Sequence, residues 1–478
     1  MPPGRHEDGA PAGILAAAVL LSLALRLLFF SGLTGYDEFA YARIAADISG
    51  GAYNLPDVTG YYGFRYLVVF PAAFFLKLFG NSAHSLAVWP MLCSVGNTLL
   101  AYFLGLELSG RRAGVIAAFF QAFLPVSVIY GTMLYPEEIL VFWTGLSALL
   151  FLKATAGPDS GKPALMFGLS GLCAGLGCHA RLNSAVMLLV FAAWAFRSGF
   201  KAAHLSFAAG FLAALIPGFA AGWYLTGYAF FSLSSQLAKL AADTGIYPGG
   251  HLVYLRGLLG IDLYGLALFG PYFYFFLAAG ATAFRRKEFS RFWLPLSWFT
   301  LLFLYFEFGP ASLSPYQPVH KQLRFLSMAV FPVIVAAAGY VSALKPAFRA
   351  AAVLILLAGS SLAAWKMHAY REAEVAPYRS VAAWLETRSP GAVYASGSWG
   401  HYLGYYLKRM RGVPYYPAAD RDGGRIFPLT AAADARKLAG ACAVVDLPPA
   451  GAGLPPRLAA LPKDVLEVNG EAGAYCFR

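Results

Sequence analysis

The sequence predicts an α-helical membrane protein of many spans with a small α/β domain at its C-terminal end. Of its 478 residues, 59% are hydrophobic and 13% are charged, and the mean hydropathy is +0.59. A soluble fold cannot bury that much apolar surface. Apolar runs of spanning length recur until residue 366, and the chain beyond them has the composition of a soluble domain. The net charge of +12 is scattered between the runs, which indicates membrane topology signals and argues against nucleic acid as a partner.

The apolar runs predict about eleven transmembrane helices within residues 1–369. They lie near 13–31, 83–108, 113–131, 137–153, 163–180, 183–198, 203–226, 257–283, 292–309, 323–344 and 347–366. A further segment, 64–79, is short for a span and carries Arg65 at its start. If it stays on the surface, the short loops rich in Lys and Arg all fall on one side, which the positive-inside rule makes cytoplasmic. We therefore predict juxtamembrane helices in the first outer loop, 32–82, and place the C-terminal domain outside.

Two adjacent acids, Asp37 and Glu38, follow directly on the first apolar run. From residue 36 to 48 the apolar spacing predicts a helix with one apolar stripe and an Arg43–Asp47 pair on the opposite side, ended by two glycines. Such a helix would lie flat on the membrane and hold both acids at headgroup depth. Partial desolvation at the membrane edge is expected to raise the pKa of Asp37 toward values useful for a base. The alternative is an ordinary solvated helix start, where acids are favoured by the helix dipole.

Other polar side chains are predicted to share the outer face with this pair. The candidate site comprises the carboxylates Asp37, Glu38, Glu137 and Glu138, the cations Arg65, His320, Lys321 and Arg324, and the rings of Tyr61 and Tyr62. Carboxylates can accept protons, the cations can bind a phosphate at headgroup depth, and tyrosine rings can carry a sugar. The sequence identifies no certain cofactor, and Asp37 and Glu137 could hold a divalent cation. Arg26 and Glu307, near the outer ends of spans, are expected to reach water or a site.

Residues 370–478 are predicted to form the α/β domain. Their pattern predicts helices at 378–388, 401–410 and 431–439, strands at 392–396 and 441–447, and a hairpin of 465–468 with 474–477. Cys442 and Cys476 both fall in predicted strands, so a disulfide between them is one expectation. No catalytic motif is recognisable there, and support or acceptor recognition is the expected role.

Several of these motifs resemble one superfamily. The acidic pair followed by a tyrosine-containing surface helix that ends in Gly-Gly resembles the first outer loop of C-type, polyprenol-dependent membrane glycosyltransferases. The segment closing on Phe79-Gly80 is similar to the juxtamembrane helix of that superfamily, and Tyr135-Pro136-Glu137-Glu138 stands where relatives often carry a second acid. The stretch His320-Lys321-Gln322-Leu323-Arg324-Phe325 is similar to the His-Lys-Glu-x-Arg-Phe signature of a branch that includes mannosyltransferases of N-glycan and GPI-anchor assembly. Gln322 departs from the Glu of that signature.

The resemblance, which covers residues 30–366, implies an inverting transfer of a hexosyl or pentosyl group. The donor would be a polyprenyl-phosphate sugar, a lipid that lies in the membrane, and the acceptor would be a hydroxyl of a glycan, lipid or protein. It implies that Asp37 assists removal of the acceptor proton, and Glu38 is expected to place the acceptor or a cation. The short loops and the Ala/Gly/Arg-rich composition indicate a bacterial inner membrane, with the site and the C-terminal domain facing the periplasm or exterior.

Two other classes compete with this interpretation. A transporter or flippase of lipid-linked sugars would place polar groups near the bilayer midplane and often shows paired halves, whereas here the polar groups gather on one face. An oligosaccharide polymerase or ligase would share the outer-face site. For that class we expect one long outer loop dense in Arg, which 227–256 is not.

Overall fold

The computed structural model of the chain is helical over most of its length. It describes residues 12–51, 61–155, 163–246, 252–287, 289–313, 316–388, 393–395, 402–403, 426–428, 442–446, 463–468 and 472–477. The helices are α1 Ala12–Leu28, α2 Tyr36–Ser49, α3 Tyr66–Phe79, α4 Ala83–Ser109, α5 Arg111–Phe123, α6 Pro125–Tyr130, α7 Pro136–Thr155, α8 Pro163–Cys178, α9 Val186–Ser198, α10 Leu205–Thr226, α11 Phe231–Ile246, α12 Val253–Leu258, α13 Leu263–Phe269, α14 Tyr272–Arg285, α15 Phe289–Phe308, α16 Ser327–Ser342 and α17 Pro346–Arg388.

The helices confirm an integral membrane protein. Within the described ranges, five are long and apolar enough to cross a bilayer, namely α4, α7, α10, α16 and α17, and the bent pair α13–α14 would make a sixth. Shorter apolar helices, among them α1, α3 and α8, do not reach that length. The predicted number of eleven spans is therefore not confirmed and stays a prediction.

The helix α16 lies at the centre of the bundle. Its sequence is apolar on every side, and 14 of its residues are buried, as expected for a helix surrounded by others. It packs against α4, α5, α7, α14 and α15. This arrangement places the start of α16, and Arg324 just before it, next to the start of α7.

Two helices described within the predicted first outer loop have nearly the predicted bounds. Helix α2 covers the predicted range, its side chains Tyr41, Ile44 and Ala45 are buried, and Arg43 pairs with Asp47 at 3.7 Å. Helix α3 has 14 residues, which makes it about 21 Å long and shorter than the roughly 30 Å hydrocarbon core. Its length agrees with the prediction that 64–79 does not span.

The strands form two sheets. Strands β1 Pro310–Leu313 and β2 Tyr316–Pro318 pair antiparallel just before His320. The C-terminal strands are β3 Val393–Ala395, β4 Ile426–Pro428, β5 Cys442–Asp446, β6 Lys463–Val468 and β7 Ala472–Phe477, in the sheet order β4-β3-β5-β7-β6. β3 runs parallel to β4 and β5, whereas β7 is antiparallel to β5 and β6.

Strands occur at each position where the sequence predicted one, whereas β1, β2 and β4 were not predicted. Cys442 and Cys476 face each other in the β5–β7 register and form the expected disulfide. The predicted helices 401–410, apart from 402–403, and 431–439 lie outside the described residues. The α/β assignment of this domain therefore stays a prediction.

Helix α17 joins the bundle to the C-terminal sheet without a break. Its 43 residues run through the predicted domain boundary at 369–370. Near its end, Val381 and Leu385 pack with Val393 and Cys442 in one buried cluster. The same helix therefore contributes to both parts of the protein.

Candidate active site

Asp37 is held at the start of α2 by two charged or polar donors. The hydroxyl of Tyr62 donates to its Oδ1 at 2.6 Å, and Nη2 of Arg324 donates to its Oδ2 at 2.6 Å. The side chain remains 19% exposed. Asp37 is therefore fixed in orientation but still open on one side to a bound molecule.

Three arginines from distant parts of the chain surround two acids at this point. Arg324 bonds to Asp37 and lies 3.6 Å from Oε1 of Glu137, which also accepts from Arg181 at 3.1 Å. Arg65 donates to the hydroxyl of Tyr41 and is close enough to act electrostatically on Asp37 and Arg181. With Asp37 and Glu137 ionised, the cluster keeps one positive charge in excess, which favours an additional anion.

Aromatic faces fix the guanidinium planes of this cluster. The guanidinium of Arg181 lies 3.5 Å from the centre of the Phe325 ring, and that of Arg324 lies 4.3 Å from the centre of the Tyr135 ring. Stacking of this kind restricts a long side chain at low entropic cost. The donors are therefore preorganised.

The pKa of Asp37 does not follow the expectation drawn from its place at the membrane edge. Partial desolvation was expected to raise it. Burial does act in that direction, but the charge of Arg324, the hydrogen bonds from Tyr62 and Arg324, and the charge of Arg65 outweigh it, so the pKa lies below its usual value. Asp37 is therefore ionised and ready to accept a proton, but it is a weak base while Arg324 is bound to it.

Glu38 is fully buried and bound to the backbone on both oxygens. Its Oε2 accepts from the amides of Thr34 and Gly35 at 2.8 and 2.9 Å, and its Oε1 accepts from the amide of Leu134 at 3.0 Å. Gly35 is the N-cap of α2, so Glu38 closes the start of its own helix. The structure thus gives Glu38 a role in fixing α2 and offers no open oxygen for the predicted acceptor or cation.

Burial raises the pKa of Glu38 to about 7, although the amides of Thr34 and Leu134 and the charge of Arg371 act in the opposite direction. Between its ordinary pKa and about 7 the folded protein binds this proton more tightly than the unfolded chain does, so the stability that it contributes falls as pH rises through that window. We expect the melting temperature of the wild type to fall more steeply than that of Glu38→Gln between about pH 5 and 8. Thermal unfolding in detergent at several pH values measures this, and parallel curves for the two proteins would contradict it.

The adjacent acids Glu137 and Glu138 have different environments. Glu137 faces the arginines, and its Oε2 accepts no hydrogen bond from any described residue. Glu138 points into the bundle, where its Oε2 accepts from Asn97 at 2.9 Å and from Ser127 at 2.7 Å. The structure therefore brings Glu137 into the site but separates Glu138 from it, because successive residues of a helix point in different directions.

Arg26 completes the network around Glu138. It is fully buried, and its guanidinium donates to Ser94 at 2.8 Å, to Ser127 at 3.0 Å and to the backbone oxygens of Ser22 and Ala122. The expectation that Arg26 would reach water or a site was wrong, because polar side chains of neighbouring helices satisfy it internally.

Lys321 lies in a second buried network. Its Nζ bonds to Glu307 at 2.5 Å, and Glu307 also accepts from the backbone amides of Tyr254 and Leu255 at the start of α12. Lys321 and Glu307 side chains are 1% and 0% exposed. Glu307 therefore does not reach water as expected, and this ion pair gives Lys321 an anchoring role in place of the predicted contact with a phosphate.

His320 and Gln322 bond to each other next to Arg324. Nε2 of His320 and Nε2 of Gln322 lie 2.8 Å apart, and the amide of Gln322 donates to the hydroxyl of Tyr254 at 3.1 Å. These bonds order the stretch from His320 to Phe325. Of the three residues in it that were predicted to bind a phosphate, Arg324 is the one that lies next to Asp37 and Glu137.

Of the two tyrosines predicted to carry a sugar, the structure describes the side chain of Tyr62. Tyr62 donates to Asp37, and its ring packs edge-on to Tyr41 at 5.1 Å. Its ring is therefore used within the protein, and its hydroxyl contributes to the site. The side chain of Tyr61 lies outside the described part of the structure.

The acids do not form a site suited to a divalent cation. Arg324 lies between Asp37 and Glu137 and bonds or pairs with both, so a guanidinium takes the position that a metal bridging them would need. In the ranges that the structure describes, no three His, Cys, Asp or Glu side chains come together as a metal site. Arg324 therefore supplies the positive charge between these two acids.

Arg181 belongs to the site but was not among the predicted site residues. It lies three residues after the end of α8 and 143 positions before Arg324 in the sequence, yet both contact Glu137. The available signal was its predicted place at the outer end of a span beside the polar pair Cys178-His179. That pattern does not show which acid the arginine meets.

Part of the chain matches a known family. Residues 66–223 match the family described as dolichyl-phosphate-mannose-protein mannosyltransferase. No curated protein sequence matches the chain. The matched segment runs from α3 to α10 and contains Arg181, Glu137 and Glu138, whereas Asp37 and Arg324 lie outside it.

The fold is similar to solved membrane proteins. The crystal structure of ArnT from Cupriavidus metallidurans in the apo state is 14% identical, with a TM-score of 0.62 over 97% of this chain and 98% of that chain. The same protein bound to undecaprenyl phosphate is 14% identical, with a TM-score of 0.63 over 98% of each chain. The archaeal oligosaccharyltransferase AglB from Archaeoglobus fulgidus, in complex with an inhibitory peptide and a dolichol-phosphate, is 16% identical, with a TM-score of 0.53 over 84% of this chain and 64% of that chain.

Together these matches confirm the resemblance to polyprenyl-phosphate-dependent membrane glycosyltransferases that the sequence indicated. The mannosyltransferase signature stays a prediction.

Proposed function

We propose that this protein is an inverting membrane glycosyltransferase that moves a hexosyl or pentosyl group from a polyprenyl-phosphate sugar to a hydroxyl of a glycan, lipid or protein. The observation that carries the proposal is the partly exposed carboxylate of Asp37 beside three arginines, Arg65, Arg181 and Arg324. A proton acceptor and a phosphate site are the two elements that such a transfer needs.

Arg324 and Arg181 are the residues that we assign to the donor phosphate, with Arg65 adding positive charge. Each guanidinium presents two or more parallel donors, which match phosphate oxygens better than a lysine does. As the bond between the anomeric carbon and the phosphate oxygen breaks, negative charge grows on the leaving polyprenyl phosphate. The excess positive charge of the cluster stabilises that leaving group.

Asp37 is the residue that we assign as general base. It takes the proton of the acceptor hydroxyl while the hydroxyl oxygen attacks the anomeric carbon from the face opposite the phosphate, so the configuration inverts. A donor phosphate at Arg324 would share the guanidinium and add negative charge beside Asp37. Both effects raise the pKa of Asp37, and donor binding thereby makes the carboxylate a stronger base.

Glu137 is the residue that we assign to placing the acceptor. Its Oε1 is held by Arg181, whereas its buried Oε2 has no partner among the described residues and can accept from a substrate hydroxyl. Since Asp37 and Glu137 meet at Arg324, a hydroxyl bound by Glu137 would lie close to the base.

The proposed orientation places this site and the C-terminal domain on the periplasmic or exterior side of a bacterial inner membrane. The distribution of Lys and Arg in the short loops supports this side. The family match and the fold favour a transferase over a transporter or flippase. A hydroxyl on a growing or finished glycan would be reached on this side after the lipid donor has crossed the membrane.

The assay that tests the proposal measures polyprenyl phosphate released in liposomes from synthetic polyprenyl-phosphate hexoses and pentoses, with an envelope extract as acceptor. We expect release from at least one donor, and release from none would overturn the proposal. Arg324→Lys keeps the charge but loses the paired donors, so we expect about tenfold or greater loss of turnover. The matched control is Arg349→Lys, whose guanidinium bonds only to the backbone oxygens of Ser342 and Leu344 among the described residues. Normal turnover of Arg324→Lys would refute the phosphate assignment.

A further inference from the structure

The turn that precedes α2 is held from the far end of the chain. Nη2 of Arg379 donates to the backbone oxygen of Ser31 at 2.8 Å, and the Ser31 hydroxyl lies 2.9 Å from Nδ1 of His368. Nη1 of Arg371 donates to the Thr34 hydroxyl at 2.9 Å. All three partners lie on the C-terminal half of α17, more than 330 residues along the sequence from the turn.

A residue beyond α17 contacts the same turn. The hydroxyl of Tyr402, in the predicted C-terminal domain, donates to the backbone oxygen of Thr34 at 2.9 Å. The Tyr402 ring stacks on Tyr378 with centroids 3.7 Å apart and meets Phe39 edge-on at 4.9 Å. Tyr402 is 7% exposed, so this contact is a packed interface between the domain and the start of α2.

The held turn is the one that binds Glu38. The amides of Thr34 and Gly35 donate to Glu38, which closes the start of α2. Asp37 precedes Glu38 on the first turn of that helix. A displacement of Thr34 would therefore move the carboxylate of Asp37 relative to Arg324, and a shift of about 1 Å at a reacting group can cost about a hundredfold in rate.

We infer that the C-terminal domain takes part in catalysis by holding the turn from Thr34 to Glu38 through Tyr402 and Arg371, which act as positioning residues for Asp37. The inference rests on the proposed function. It assigns to the domain a role in the transfer itself, beyond the support or acceptor recognition expected from the sequence. In this role the domain positions the general base Asp37 and does not contact the substrate.

The test uses the full-length chain and the variants Tyr402→Phe and Arg371→Met. Tyr402→Phe removes one hydroxyl and keeps the ring stacking, so we expect it to fold. We expect hydrogen exchange of the amides in residues 31–39 to become faster, kcat to fall about threefold to tenfold, and KM for the donor to stay unchanged. Arg371→Met should lower kcat further, and Arg371→Lys, which keeps a donor for Thr34, should recover part of the loss.

A double-mutant cycle and a matched control variant distinguish a positioning role from a general loss of structure. If Arg371 acts through Thr34, adding Arg371→Met to Thr34→Val should lower kcat less than it does in the wild type. The control is Tyr274→Phe. Tyr274 lies on α14, and its hydroxyl donates to the backbone oxygen of Leu259, so the variant deletes the same kind of bond elsewhere in the protein. It should leave both kcat and the exchange of residues 31–39 unchanged.

The outcomes distinguish this inference from the proposed function. A wild type that releases no polyprenyl phosphate overturns the proposed function. An active wild type whose kcat and exchange are unchanged in both Tyr402→Phe and Arg371→Met overturns only the positioning role. Raised KM with normal kcat also overturns it, because that result would place Tyr402 and Arg371 in substrate binding.

Discussion

Asp37→Asn is expected to lower turnover by at least about a hundredfold while donor binding is largely kept, in line with typical contributions of a general base. The amide has the shape of the carboxylate, and one of its atoms can still accept from Tyr62 or Arg324, so the site should remain assembled. What it loses is the capacity to take the acceptor proton. The measurement is polyprenyl phosphate released per folded enzyme, together with binding of the polyprenyl-phosphate sugar that the wild type uses as donor.

Glu38→Gln and Glu137→Gln are the comparisons for this result. We expect each to cost less than Asp37→Asn, because Glu38 acts on the position of α2 and Glu137 on the acceptor. If Asp37→Asn retained most activity while either comparison abolished it, the base would have to be reassigned to the other acid.

Arg26→Met is expected to destabilise the fold by about 3–5 kcal/mol, the cost of removing one partner from a buried charged network. The variant leaves Glu138 buried, with Ser94 and Ser127 deprived of a donor. Since Arg26 lies on α1 and Glu138 on α7, the loss affects contacts among several helices. Thermal unfolding in detergent, followed by size-exclusion chromatography, measures the effect.

The double variant Arg26→Met with Glu138→Gln tests the cause. With both charges removed, we expect it to be less destabilised than the sum of the two single variants. Additive losses would show that Arg26 contributes to stability independently of Glu138. Release of polyprenyl phosphate by the folded fraction should be affected less than stability, because Glu138 points away from Asp37.

Much of the local structure could be predicted from sequence patterns. The helix after Asp37, its Arg43–Asp47 pair and its apolar stripe follow from spacing within a few residues. The C-terminal hairpin follows from alternation in the same way. Strand patterns also placed Cys442 and Cys476 in two strands that proved to be neighbours. That the apolar segment 64–79 is short for a membrane span could likewise be predicted from the sequence. The class of enzyme was predicted from motif order and topology together, since no single motif was specific.

The site itself could be predicted only in part. Asp37, Glu137, Arg65 and Arg324 were placed on one face by topology, and the structure brings them together. Lys321 carries the same charge as Arg324 and stands three positions before it, yet it pairs with Glu307 in a different network. Spacing along the chain does not reveal which of two neighbouring cations meets a distant acid.

The sequence by itself determined that the chain is a polytopic membrane protein and where many of its helices and strands lie, because periodicity and hydrophobicity act over short stretches of chain. It also predicted that acids and cations gather on one face. The tertiary structure decided the partner of each charge. Arg324 lowers the pKa of Asp37 although burial opposes it, Glu38 binds its own helix start, and Tyr402 reaches Thr34 across 368 positions of sequence. Such pairings depend on how helices pack side by side, and charge interactions are strong only over a few ångströms, so their strength and direction follow from the fold.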